Sequence, residues 1–283
     1  MTGIFIAAGF ALILFFLERV FPLRKRKRDT FSRLTVNIAV SMTTFTVAFL
    51  LIRPTTSFFL GWTASTPFGL IRWLRLTGLW ETLVGFLLLD LSFYYWHITN
   101  HKIPFLWRFH NVHHMDLDLD VSTGFRFHPG EVALSTIFRA IQVALIGVSV
   151  STFVIYEAIF QIGTFFHHSN LRLPLRLERV LNLIFVTPRM HGIHHSNFKK
   201  ETDSNYSVVF SVWDRLHRTI GLGISQEEID IGVPGYAMKK DNHLKQVMIL
   251  PFAQQREYWK DESGHKRLSR GEEIRRRVQW LAE

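Results

Sequence analysis

Four apolar stretches, residues 3–22, 34–52, 80–96 and 131–168, constrain this chain more than any other feature. About 20 apolar helical residues cross a hydrocarbon core of about 30 Å. A backbone inside that core must satisfy its own N–H and C=O groups, which selects helices. The first three stretches have the length of single crossings. The fourth is too long for one, and "IGVSVST" at 146–152 offers a place to turn, so it reads as a helical hairpin. The expected fold is all-α: a polytopic integral membrane helical bundle with a cytosolic helical cap. Residues 1–80 would supply N-terminal transmembrane helices and a loop, 81–220 a central domain, and 221–283 a cytosolic basic C-terminal tail.

Of the 283 residues, 48% are hydrophobic and 20% charged, and the net charge is +10. The basic residues concentrate in "RKRKR" (24–28) and "HKRLSRGEEIRRR" (265–277). Beside apolar spans, such clusters mark cytoplasmic loops and anionic headgroups rather than a nucleic-acid site. The first stretch has no basic n-region and its positive charges follow it, so it reads as an anchor with its N-terminus outside, not a signal peptide. With "RKRKR" cytoplasmic, residue 97 onward emerges inside, and so do residues 169–283. The 53–79 segment becomes an outer loop, although it carries Arg53, Arg72 and Arg75. A compact chain without a retention tail is expected in a bacterial inner membrane rather than the endoplasmic reticulum.

Eleven of the fourteen histidines fall between residues 97 and 195. His97 and His101 are four apart, one helical turn. His110, His113 and His114 form an HxxHH unit expected on one face, and His191, His194 and His195 repeat it. All three clusters fall on the same side of the membrane. Imidazole ligates iron, copper, nickel and zinc, and one tetrahedral zinc needs only four ligands. These eight histidines, with His168 as a ninth at the end of the hairpin, exceed the coordination sphere of one ion, so the count favours two metals. There is no cysteine, which removes thiolate sites, disulfides and a cysteine nucleophile.

Other residues are expected to support this cluster or to stand aside. His167 points about 100° from His168 on a helix, towards supporting contacts or solvent. His128, in "RFHP", is balanced between ligand and structural roles. Asp90 precedes His97 by seven residues within an apolar run, where it would orient a ligand imidazole or pair with an arginine. Pro188 suits the first turn of a helix carrying the last cluster. "HPGE" at 128–131 superficially matches a haem-binding HPGG, but no second haem histidine accompanies it. No HExxH occurs. A metal transporter would place ionisable residues in several spans, and a di-zinc lipid hydrolase would need a carboxylate base in the clusters. The nearby carboxylates are Asp116, Asp118 and Glu131.

The ordered segments "DLSFYYWHITNH", "PFLWRFHNVHH", "TGFRFHPGE", "FFHHSN", "TPRMHGIHH" and "NYSVVFSVWDRL" resemble the fatty acid hydroxylase superfamily over about residues 85–220. That superfamily includes sterol desaturases, methylsterol oxidases and alkylglycerol monooxygenase. The resemblance implies a non-haem di-iron centre on His97, His101, His110, His113, His114, His168, His191, His194 and His195. It also implies supporting roles for Asn205, Tyr206, Trp213 and Asp214. By the same resemblance the chain would use O2 and electrons from an external donor, a ferredoxin or cytochrome b5, to hydroxylate or desaturate a lipid. Two departures stand out: Ile98 where many relatives have arginine, and "HRT" at 217–219 where they continue Phe-Gly-Thr. Neither breaks a histidine cluster.

Overall fold

A computed structural model describes residues 2–273, so residues 274–277 of the basic run lie outside the described residues. Among the described residues the regular structure is helical, and β pairing is limited to isolated bridges such as Pro22 with Leu171. Helix α1 spans Thr2–Val20. Helix α2, Thr30–Val47, starts where the Asp29 carboxylate accepts the Ser32 N–H, satisfying a donor that the first turn leaves free. It continues through a π-helical turn, Ala48–Ile52, into α3, Arg53–Ser65. Pro54 has no N–H to close a regular helical bond, and the wider turn sits where that bond is lost. Residues 53–65 are therefore helical, whereas the whole of 53–79 is expected from the sequence as a loop between apolar spans.

As a straight rod, residues 30–65 would span about 54 Å. Both α2 and α3 pack on α7, Pro129–Ile146, which is only about 27 Å long. A single turn, α4 (Leu70–Trp73), then leads to α5, Gly78–Lys102. Gly69, at φ 109°, crosses Gly147, at φ 73°, so closely that a Cβ on Gly69 would lie 2.6 Å from the Gly147 Cα. Gly147 also closes α7, and the Ser149 hydroxyl caps α8, Val150–His168. The expected hairpin thus turns within 146–152. Glu81 of α5 ties this end together, accepting the Ser149 N–H at 2.9 Å and the Thr152 hydroxyl at 2.6 Å.

At the opposite end, α5 stops at Ile103, held extended because Pro104 disfavours helix at the residue before it. Pro104 then begins α6, Pro104–His114. This one-residue elbow folds α6 back beside the end of α5. Helix α9 spans Leu175–Leu181, and α10, Pro188–His194, is capped by the Thr187 side chain on the Met190 N–H.

Buried polar links hold this end to the bundle. Glu18, at the end of α1, accepts the backbone N–H groups of Asn170 at 2.8 Å and Val121 at 3.2 Å. Arg33, near the start of α2, pairs with Asp116 at 2.7 Å and also with Asp120. Burial by itself would raise Asp120, but the Arg33 charge brings its pKa down to about 2. "RKRKR" lies on this same side and is partly internal: Arg24 is buried against Gly192 and donates to Gln226 at 2.6 Å. Beyond residue 230, Val233, Tyr236, Val247 and Leu250 form a core with Trp107, Val112 and Met115.

Two helical segments, Thr30–Trp73 and Pro129–Ile146, are long and apolar enough to cross a membrane. Large apolar side chains also face outward on other helices, among them Phe16, Leu87 and Val154.

Candidate metal centre

The end of α5, α6, the end of α8 and α10 bring nine histidines into two groups. His97, His101, His110, His114 and His194 form one, and His113, His168, His191 and His195 the other. Within each group the available ligand atoms lie within 4.8 Å of one another. Nitrogens bonded to one ion at about 2.1 Å would be at most about 4.2 Å apart, so each group is close to the dimensions of one coordination sphere. Eight of the nine are buried, and His101 is partly so.

The HxxHH units do not present a single face, as the spacing had suggested. His110 and His114, four apart, enter the first group while His113 enters the second. His191 and His195 enter the second while His194 enters the first. Residues four apart on a helix differ by about 40° in direction, but adjacent ones by about 100°. Each unit therefore reaches two centres at once.

The tautomers carry the chemical argument. The Nδ1 atoms of His97, His168 and His194 meet the backbone oxygens of Tyr206 at 2.7 Å, Thr164 at 2.8 Å and Ser204 at 2.7 Å. A carbonyl only accepts, so each Nδ1 carries the proton and each Nε2 is left as a lone pair. Yet the Nε2 atoms of His97 and His194 face each other at 3.1 Å, and that of His168 lies 3.0 Å from those of both His113 and His191. The Nε2 atoms of His101, His110 and His114 are buried without a partner. The facing lone pairs of His97 and His194 repel unless a cation lies between them, and neutral imidazole with an outward Nδ1–H is the usual form of a metal ligand. The donor set fits a pair of transition-metal ions. Burial pushes the pKa of His194 down to about 3 and those of His113, His114, His191 and His195 well below the ordinary value, so near neutral pH they are uncharged and able to bind.

Among the described residues one carboxylate contacts the cluster directly. Glu131, in the first turn of α7, accepts the His110 Nδ1–H at 2.9 Å. Separated from His110 by 21 positions, this pairing had no local signature. Asp90 does not play that part: its Oδ2 accepts the Trp213 indole N–H at 2.7 Å and the Phe210 N–H at 3.2 Å, fixing the 210–213 segment against α5. Asp116 pairs with Arg33, and Asp118 accepts the Lys27 and Arg28 N–H groups at 2.8 Å.

Asp214 supports the site through the backbone, accepting the N–H groups of Tyr206 and Ser207 at 2.9 Å. This holds the Tyr206 carbonyl against His97 and its ring beside His101, centroids 5.1 Å apart. Asn205, at φ 56°, donates to Met190 O at 2.9 Å and Gly221 O at 2.8 Å, joining this loop to α10. His128 stands apart: its Nδ1 accepts the Gly130 N–H at 2.9 Å and its Nε2 meets Met248 O at 3.1 Å, so it caps α7. His167 does not face solvent. It is buried, with Nδ1 on Val208 O at 3.1 Å and its ring 4.1 Å from that of His191.

A cavity of about 210 Å³ adjoins the histidines. His97, His110, His113, His168 and Glu131 line one end, and Phe93, Phe127, Val132 and Phe160 give it apolar walls.

Residues 82–219 match the fatty acid hydroxylase family. Ornithine lipid hydroxylase OlsE of Rhizobium tropici is 29% identical over 56% of this chain and 47% of its own length. A cholesterol 25-hydroxylase-like protein of Danio rerio is 28% identical over 50% of this chain and 55% of its own. Alkylglycerol monooxygenase of Danio rerio is 31% identical over 50% and 30%. The chain thus spans about half or less of the length of these curated relatives, and no solved structure significantly matches it. The matched segment contains all nine clustered histidines, so the likeness to fatty acid hydroxylases falls on the residues that build the two groups.

Proposed function

We propose that this protein is a multi-pass membrane, non-haem di-iron oxygenase that uses O2 and electrons from an external carrier to hydroxylate or desaturate a lipid. The observation that carries the reading is the convergence of nine histidines in two groups, with the Nε2 lone pairs of His97 and His194 facing each other. His97, His101, His110, His114 and His194 would hold one iron, and His113, His168, His191 and His195 the other. When bound, the two irons supply the reduction of O2 and the oxidation of an unactivated C–H bond.

The chain's own work is positioning. Backbone oxygens of Tyr206, Thr164 and Ser204 and the Glu131 carboxylate fix the tautomers and ring directions of their histidines. Phe127, stacked on His113 at 4.4 Å, closes the site with an apolar wall that excludes water. The adjoining cavity would bring an acyl or alkyl chain to the histidines. The relatives' names, an ornithine lipid hydroxylase, an alkylglycerol monooxygenase and a cholesterol 25-hydroxylase-like protein, support a lipid substrate.

The outward apolar residues on α1, α5 and α8 support further spans beside the two apolar segments. By the positive-inside rule the histidine end faces the cytoplasm, of a bacterial inner membrane in this reading. Electrons would enter there from a ferredoxin or cytochrome b5. Trp107 packs against His101 and His114, centroids 4.9 and 5.3 Å away, and stacks on the partly exposed Trp259 at 6.1 Å. This gives an aromatic connection from the surface to the site.

The test is the metal content of detergent-purified protein from iron-replete cells. About two irons per chain are expected, with one lost in His194→Ala and one in His168→Ala. Folded protein with no bound metal, or with two zincs that persist under iron-replete anaerobic handling, refutes the reading.

A further inference from the structure

The far end of the cavity is charged. Arg139 of α7 and Glu157 of α8 both line it and pair at 2.7 Å. Arg139 is buried and also donates to Gln142 at 2.8 Å, and its guanidinium lies 5.3 and 5.6 Å from the ring centroids of Phe93 and Phe160. Glu157 remains partly exposed, its side chain at 39%. Gln161, one turn further along α8, lines the same end and makes no side-chain hydrogen bond among the described residues. Ionisable groups in an apolar span are costly and mark substrate paths unless structure alone needs them. A purely structural pair would be closed off from the cavity. This one faces it.

Resting on the oxygenase reading, we infer that Arg139, Glu157 and Gln161 seat a hydroxyl group of the substrate, with the carbon to be oxidised held at the histidine end. The chemistry selects a hydroxyl. Glu157 already neutralises Arg139, so a carboxylate or phosphate would meet the Glu157 charge and an amine the Arg139 charge. A hydroxyl donates to Glu157 and accepts from Arg139 or Gln161 with one atom. Arg139 lies eight residues from Glu131, about 12 Å along the helix. The favoured substrate is therefore an uncharged lipid alcohol attacked on the order of 12 Å from its hydroxyl, with apolar chain between.

The experiment measures binding of radiolabelled octadecan-1-ol, octadecane and stearate to the full-length protein in nanodiscs, with bound iron determined on the same samples. The alcohol is expected to bind at least about tenfold more tightly than either of the others, since a site built for a hydroxyl rejects the analogue lacking it. The preference should vanish in the Arg139→Met/Glu157→Gln double variant and weaken in Gln161→Leu, which leaves the ion pair intact and covers the case of a double variant that fails to fold. Equal affinity for alcohol and alkane, tighter binding of stearate, or a preference unchanged in folded variants overturns the proposal. Because binding requires no turnover, the two readings fail separately. Alcohol preference without iron refutes only the oxygenase, and iron-loaded protein without the preference refutes only the hydroxyl seat.

Discussion

Replacing Glu131 with glutamine keeps the side-chain oxygen beside the His110 Nδ1–H and removes its charge. The bond is 2.9 Å long and buried, with His110 at 3% exposure and Glu131 at 6%. A hydrogen bond to a charged group contributes about 1.5–3 kcal/mol, and its neutral counterpart roughly half of that. The imidazole thus loses about 0.8–1.5 kcal/mol of support for its partial positive charge when it donates to a metal, up to about tenfold in affinity. The Glu131 Oε2 has no partner, so the new amide NH2 is unsatisfied with and without metal and its cost cancels. Only the group containing His110 should respond. Iron(II) titration against a competing chelator should then separate into two steps, one weakened by up to about tenfold and one unchanged. Equal weakening of both sites, or of neither, would refute the assignment of His110 to the five-histidine group or of Glu131 as its support.

Acid should destabilise the metal-free protein. His194 has its folded pKa lowered to about 3 from an ordinary value of 6.5. Its stabilising contribution is therefore complete above about pH 6.5 and is lost as pH falls from there towards 3, because the unfolded chain takes up the proton first. His113, His114, His191 and His195 shift in the same direction, so the melting temperature should drop steeply below pH 6.5; a flat profile from pH 7 to 5 would contradict this. Arg33→Met leaves two buried aspartates, Asp116 and Asp120, without their main cation. A loss of about 3–5 kcal/mol is expected in chemical unfolding, and one below about 1 kcal/mol would show the network to be slack. Gly69→Ala forces a Cβ to within 2.6 Å of Gly147 at a positive φ and should cost about 1–3 kcal/mol by the same measurement, whereas Gly9→Ala, with open space around it, should cost nothing measurable. Trp259→Leu should slow reduction of the metal-loaded protein by a ferredoxin in stopped-flow while leaving reduction by dithionite unchanged. Equal rates with both reductants would remove Trp259 from the electron route.

Much of the site could be read before the structure because helical spacing is local. HxxxH and HxxHH place imidazoles one turn apart whatever the surroundings, and all nine histidines named from spacing and family resemblance come together. The division between centres was not legible. It depends on how α6 and α10 face each other, so His113 and His194 part from their own clusters. Asp90 was misassigned for a related reason: it shares a helix with His97, but Trp213, 123 positions away, reaches it first. Glu131 was visible only as a carboxylate near the clusters, since its partner lies on another helix.

The sequence by itself determined that the chain is helical and rich in apolar segments, that it turns at 146–152, and that its candidate metal ligands are imidazoles. These follow from hydrophobic run length, glycine and serine at a turn, and the absence of cysteine, all of which act within a few residues. Tertiary structure alone decided which histidines share a centre, which carboxylate supports them, that "RKRKR" packs partly inside the histidine end, and that Arg139 and Glu157 meet across a cavity. Those contacts join helices far apart in the chain. They are set by how the bundle and the elbow at Ile103–Pro104 pack, and no short-range pattern encodes that.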